Sequence, residues 1–331
     1  MHNWPVFGHD WAVDYLRKGM LNNRVRHAYL ITGTSSIGKH TFAHAFAMAL
    51  NCLDDDIAAR PCGVCRSCKR ILSGNHIDLL YSETDSNTGA LKIDAIRAVT
   101  NQIAMKPYDA RYRIAIFEDF DRAQPRAQDA LLKTLEEPPP HAILILIATS
   151  LESILPTITS RSQTVYLRPV ASETIRAVLV NHYNTEPEQA KLLAQLSAGR
   201  IGWAIQAAQN PDMLDQREQA LTLLEEAVRK NRAGRFDLAQ DLGRDKLSLA
   251  PLLELWLSYW RDVLHLVENS RVELCNLDRE TTLRQMTYDV SPEQARGAIQ
   301  ATQTMLGQLA LNTNLRLALE VMFLDYPGLK R

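Results

Sequence analysis

The sequence predicts an α/β domain, a parallel sheet with helices on both faces, followed by domains built of helices alone. Three observations carry that reading. Strand-like apolar runs alternate with helical patterns as far as Leu167, the order of a doubly wound sheet. One run, Ala142–Thr149 (AILILIAT), is almost wholly apolar, as a parallel strand covered on both faces requires. Beyond Pro169, every periodic stretch has helical spacing.

The elements follow in order. Residues 1–26 predict a short helix carrying Trp11, Val13, Leu16 and Leu21. His27–Thr32 predicts a strand that feeds a glycine-rich loop, Gly33–Lys39. Phe42, Phe46 and Leu50 recur every fourth residue and give the next helix one apolar face. Cys52–Cys68 reads as a loop. Ile77–Glu83 predicts a strand, and Lys92–Ala104 a helix with Ile93, Ile96, Val99 and Ile103 on one side. Ile114, Ile116 and Phe117 mark a strand that ends on the acids Glu118, Asp119 and Asp121. A helix over Asp129–Glu137 is stopped by Pro138–Pro140. The last strand is Gln163–Leu167. Pro169 marks the first boundary, giving domains at 1–169, 170–208 and 209–331. Asn210-Pro211 reads as an N-cap with proline at the first helical position, and Ser291–Gln294 (SPEQ) as a capping box.

A length of 331 residues fits two or three domains, and a net charge of −1 leaves no global basic field for nonspecific nucleic-acid binding. No apolar run reaches membrane-span length, and the start lacks a signal-peptide core, so the chain is expected in the cytoplasm.

Two motifs carry chemistry. Gly33 to His40 (GTSSIGKH) has the spacing of a phosphate-binding loop except at its last position. Backbone N–H groups after Gly33 and Gly38 would face phosphates, and Lys39 would reach the β/γ-phosphates. His40 stands where a hydroxyl normally holds Mg²⁺, and imidazole is a poor replacement for a hard oxygen ligand. Thr41 lies about 100° further round the helix. The motif alone leaves two readings even: a nucleotide is bound, or the loop keeps its shape and binds nothing. Cys52, Cys62, Cys65 and Cys68 form C-x₉-C-x₂-C-x₂-C, which suits a closed tetrahedral Zn²⁺ site better than a redox switch or free thiols. Arg60, Arg66, Lys69 and Arg70 read as a solvated rim around it. Cys275 reads as core, and Trp203, Trp256 and Trp260 as core or interface. His27, His40, His44 and His76 form no metal spacing with a carboxylate pair, and His76 reads as structural.

The stretch Ala130–Pro139 (ALLKTLEEPP), together with GTSSIGKH, resembles the AAA+ clamp-loader family of bacterial DNA polymerase III, and within it the delta-prime branch. The resemblance spans nearly the whole chain, through Leu309–Leu324, and is most specific over 27–203. It implies an AAA+ base, a small helical lid and an all-helical collar that joins a ring-like pentamer. It places Glu118 where active subunits carry a metal-ordering aspartate and Asp119 where they carry a catalytic glutamate, an inverted Walker B-like pair. Thr149 matches the sensor-1 position. Gly202 falls where hydrolysing subunits carry a sensor-2 arginine, with Arg200 two residues early. Ser160-Arg161 resembles the family's Ser-Arg-Cys motif, with Ser162 for the cysteine, which implies that Arg161 acts as an arginine finger in a neighbour's site. Chemistry alone would leave Arg161 a strand cap or the partner of a nearby acid. The family's zinc module carries the same cysteines, with a first spacing often one residue shorter than that of Cys52. The resemblance therefore implies a subunit without efficient ATP hydrolysis of its own. Its partners would be the gamma/tau and delta subunits, with the sliding clamp and primed DNA reached through the complex. The alternative is an active gamma/tau-like motor, against which His40, the inverted acids, Gly202 and the lack of a long C-terminal extension all argue.

Overall fold

The structure, a computed structural model, describes residues 4–85, 89–272, 274–309 and 313–328. Two compact units divide it: Met1–Val178 with Gly199–Trp203, and Leu179–Ala198 with Ala204–Arg331.

The first unit is built on five parallel strands: β1 (Ala28–Thr32), β2 (Leu79–Tyr81), β3 (Arg113–Phe117), β4 (Ala142–Ala148) and β5 (Gln163–Tyr166), in the order β2-β3-β4-β1-β5. Register places Leu30 opposite Leu146 and Thr164, and Ala115 opposite Leu144. The period of two divides the strands between two cores. Ile31, Ile114, Ile116, Ile145 and Ile147 face one cluster that holds Phe42 and Phe46. Leu30, Ala115, Phe117, Leu144 and Leu146 face the other, with Ile96, Val99 and Leu131. Both sheet faces are therefore covered, which explains the unbroken apolar run of β4.

The helices of this unit are α1 (Asp10–Leu21), α2 (Lys39–Asn51), α3 (Arg66–Leu72), α4 (Ile93–Ile103), α5 (Pro125–Asp129), α6 (Leu132–Glu136) and α7 (Pro156–Thr159). Three expectations change. In α1 the buried face is Ala12, Val13, Leu16 and Met20, while Trp11 and Leu21 are about half exposed. The strand expected over Ile77–Glu83 is only Leu79–Tyr81. Asp78 is instead drawn off, its carboxylate accepting the N–H groups of Tyr108, Asp109 and Ala110. The single helix expected over Asp129–Glu137 is two. Pro125 starts α5 early, and i→i−3 bonds from Ala130 and Leu131 tighten the chain before α6. Gln128 fixes the break, donating to the Ala123 and Ser153 carbonyls and accepting from Leu155 N–H.

The rest is helical: α8 (Ser172–Tyr183), α9 (Pro187–Leu196), α10 (Ile201–Gln209), α11 (Asp212–Arg229), α12 (Arg232–Leu242), α13 (Lys246–Val267), α14 (Glu280–Met286), α15 (Pro292–Leu309) and α16 (Leu315–Asp325). Of the Leu309–Leu324 stretch, residues 310–312 lie outside the described residues. The capping box forms as expected, Ser291 N–H donating to Gln294 Oε1 and Gln294 N–H to Ser291 Oγ. Trp256, Tyr259, Trp260 and Phe323 fill the second unit's core. Trp203 is buried too, whereas Cys275 is partly exposed rather than core. Among the described residues no helix is long and apolar enough to cross a membrane.

Candidate functional site

β1 delivers the chain into the glycine-rich loop, and α2 receives it. The turn needs left-handed backbone at Ser36 (φ 56°) and Gly38 (φ 102°). Gly33 admits no side chain, since a Cβ there would lie 2.6 Å from the Leu167 carbonyl. The loop's carbonyls are held from several sides. Lys39 Nζ donates to Gly33 O at 2.7 Å and Thr34 O at 2.9 Å, and the side chain is buried. His9 Nε2 meets Ile37 O at 2.9 Å, and Gly202 N–H donates to Ser36 O at 2.8 Å. The opening turn of α2 presents N–H groups without helical partners, the usual basis of anion binding.

At the mouth of this cradle, His40 Nδ1 lies 3.1 Å from Glu118 Oε1, with the two side chains 50% and 37% exposed. The hydrogen bond raises the His40 pKa and lowers that of Glu118, so the pair favours imidazolium and carboxylate. The other two acids after β3 are also engaged. Asp119, in left-handed backbone (φ 47°), faces Arg122 Nε at 3.7 Å. Asp121 accepts Thr149 N–H at 2.9 Å and also the Thr149 hydroxyl. The structure thus brings Gly33, Gly38, Lys39, His40 and Glu118 together. It gives the expected sensor Thr149 to Asp121, and it leaves Thr41 exposed. His44, one turn along α2, stacks on Tyr81 with centroids 5.5 Å apart, and burial lowers its pKa. Sequence reading missed the His40–Glu118 pair. The signal available was an imidazole replacing a hydroxyl opposite a strand-end acid.

Gly202 and Arg200 lie at the start of α10. A Cβ at Gly202 would lie 2.6 Å from Ser36 O, so the helix backbone sits directly on the glycine-rich loop. Arg200 lies over the Trp203 ring, 5.7 Å from its centroid. Arg161 follows α7. Its Nη2 lies 3.0 Å from Glu136 Oε1, its Nη1 donates to Thr157 O at 3.0 Å, and the side chain stays partly exposed. Glu136 comes from the LEEPP segment and was not singled out from sequence.

The four cysteines converge, their sulfurs all within 4.8 Å of one another. Gly63 supplies a left-handed turn (φ 72°). The N–H groups of Cys62, Cys65 and Cys68 donate to the sulfurs of Cys52, Cys62 and Cys65, the kind of support that orients metal ligands. Burial opposes ionisation of Cys65, but donors from Leu53 and Cys68 and the neighbouring thiols outweigh it and bring its pKa to about 7. Burial raises those of Cys52 and Cys68. Four soft donors at this closeness form a centre able to hold a metal ion. The expected basic rim is only partly solvated. Lys69 is exposed, and Arg66 and Arg70 share Asp109. Arg60 is buried, donating to Asp54 O, while its carbonyl accepts from Trp4 Nε1. His76 is structural, bonded to Ser67 Oγ and to Asp78 N–H.

A protein-family model described as "DNA polymerase III, delta subunit" matches residues 8–171. The delta' subunit of DNA polymerase III from Bacillus subtilis is 27% identical over 306 residues, 91% of either chain. The chain belongs to the clamp-loader family of DNA polymerase III. The tau subunit from Escherichia coli is 32% identical over 201 residues, 59% of this chain and 31% of tau, so this clamp-loader chain spans about a third of that relative. A gamma subunit-related protein from Thermotoga maritima aligns over 95% of this chain and 97% of its own at 16% identity and a TM-score of 0.43. The architecture described above is a five-stranded parallel sheet with a glycine-rich loop after β1 and a helical C-terminal region.

Proposed function

We propose that the chain is a delta-prime-like clamp-loader subunit that helps load the sliding clamp onto primed DNA, lacks efficient ATP hydrolysis of its own, and supplies Arg161 to a neighbouring ATPase subunit. The likeness to delta' over 91% of both chains carries this reading. The site supports it, because the three acids after β3 are engaged within the chain and the metal-holding hydroxyl is an imidazole. Its partners are gamma/tau and delta subunits, its setting the cytoplasm, and its three parts a base (1–169), a lid (170–208) and a collar (209–331).

Arg161 suits the finger role physically. An exposed ion pair such as Arg161–Glu136 is worth only about 0–1 kcal/mol, so a phosphate group can displace Glu136 with little loss. The planar guanidinium then offers several donors to the charge that builds on a transferring phosphate. The cysteine centre holds a structural Zn²⁺ that fixes the loop before α3, with Cys52 as a full ligand.

Reconstitution with the partner subunits tests the assignment. Arg161→Ala in this chain lowers ATP turnover at the neighbouring site by about 10³-fold or more, and Arg161→Lys restores little of it. An unchanged ATPase would remove the finger. Brisk hydrolysis by the purified chain alone would make it a motor instead.

A further inference from the structure

Beside the cysteine centre, cations and apolar side chains share one exposed face. α3 carries Arg66, Lys69 and Arg70 at spacings of three and four, so the three lie on one side of the helix, all exposed. Arg66 and Arg70 converge on one carboxylate, that of Asp109, at 2.5 and 3.3 Å. This ties α3 to the loop at 105–111, where Lys106 and Arg111 are exposed as well. On α3 and this loop, five cations therefore stand against one exposed acid, in a chain whose net charge is −1.

The same loop presents Tyr108, 81% exposed, and Met105 is more than half exposed, as is Ile77 in the neighbouring turn. The backbone beneath them is fixed. Next to Ile77, the fully buried Asp78 carboxylate accepts the N–H groups of Tyr108, Asp109 and Ala110. His141 Nε2 and Arg113 Nη1 hold the carbonyls of Met105 and Lys106. A large ring held out in water on a rigid backbone loses little freedom when a partner covers it. Single-stranded nucleic acid would call for aromatic platforms, and Ile77 and Met105 cannot stack on bases. Apolar anchors ringed by cations suit a polypeptide that carries both apolar and acidic residues.

We propose that this face docks an acidic, apolar segment of a partner protein. Tyr108 and Ile77 cover its apolar side chains, while Arg66, Lys69 and Arg70 meet its carboxylates. The inference uses neither the loop after β1 nor Arg161, and it does not rest on the clamp-loader reading.

Fluorescence anisotropy with the full purified chain, its metal retained, tests it. The probe is a short labelled peptide in which Asp alternates with Phe and Leu. The controls are the same peptide with Asn for Asp, and a labelled oligothymidylate. The acidic peptide binds with a Kd on the order of micromolar, the Asn peptide about tenfold or more weaker, and added salt weakens the first alone. Lys69→Glu and Tyr108→Ala each weaken the acidic peptide by about tenfold or more. Arg232→Glu, an exposed cation on α12, leaves binding unchanged. Lys69 and Tyr108 are exposed, so these variants are expected to fold, and unchanged metal content and melting temperature verify it. No binding of the acidic peptide, equal binding of the Asn peptide, or wild-type affinity in either variant would overturn the proposal. So would tighter binding of the oligothymidylate, which would make this a nucleic-acid face, or self-association of the chain that Tyr108→Ala abolishes.

Discussion

Replacing Gly202 with alanine sets two effects of opposite sign against each other. Alanine in a helix is favoured over glycine by about 1 kcal/mol, and on that ground alone the change stabilises. The added Cβ, however, would lie 2.6 Å from Ser36 O, against 3.4 Å or more for an ordinary contact. Helix α10 must then back away from the loop by about 0.8 Å. That movement stretches the Gly202 N–H to Ser36 O bond from 2.8 Å toward about 3.6 Å, where it no longer counts as a hydrogen bond. Loss of that bond removes about 0.5–1.5 kcal/mol, and overpacking adds about 1–3 kcal/mol. The clash wins, for a net destabilisation of about 1–3 kcal/mol. Gly297, within α15, has open space within 4 Å of where an added methyl would sit, so Gly297→Ala stabilises by about 0.5–1 kcal/mol. Urea unfolding of the two variants measures both signs. Hydrogen exchange of the segment 33–39 reports whether the loop loosens in Gly202→Ala, as expected. If Gly202→Ala stabilises as Gly297→Ala does, α10 is not seated on the loop. The same clash means that installing an arginine at position 202 disturbs the cradle before it can supply any catalysis.

Further expectations concern the rest of the molecule. Arg235 is buried and donates to five carbonyls, those of Ala227, Val228, Phe323, Tyr326 and Pro327, joining the ends of α11 and α16; Arg235→Ala costs the helical unit about 3–5 kcal/mol by denaturant titration, and a loss under about 1 kcal/mol would refute the clamp. Elemental analysis gives one zinc per chain, and Cys65→Ser loses the metal and lowers the melting temperature; a metal-free chain of unchanged stability would count against the centre. Burial lowers the His9 pKa, so the unfolded chain takes up the proton first. Stability from this group is present above about pH 6.5 and is lost as pH falls through the folded pKa, with a slope of at most about 1.4 kcal/mol per unit; His9→Gln flattens that fall. His40 runs the other way, its raised pKa giving a contribution present below about pH 6.5 and lost as pH rises through the folded value. The pair is half exposed, so this contribution stays under about 1 kcal/mol, and a His40→Ser comparison across pH reads it.

What the sequence determined alone is local or periodic. Alternating strands and helices, the wholly apolar β4 and the glycine-rich loop specify a parallel sheet with a tight turn between β1 and α2, because burial on both faces and left-handed turns each leave a direct mark on residue choice. Two C-x₂-C steps likewise foretell the cysteine cluster, since short spacing forces neighbours together. The tertiary structure alone decided which charges meet. His40 and Glu118 lie on different elements, as do Thr149 and Asp121, and Arg161 and Glu136, so no spacing rule links them. The break between α5 and α6 depends on one buried glutamine reaching three backbone groups, and the need for glycine at 202 on a carbonyl from a distant loop. Side-chain pairings and close backbone approaches arise from packing across the sheet, which a one-dimensional pattern does not encode.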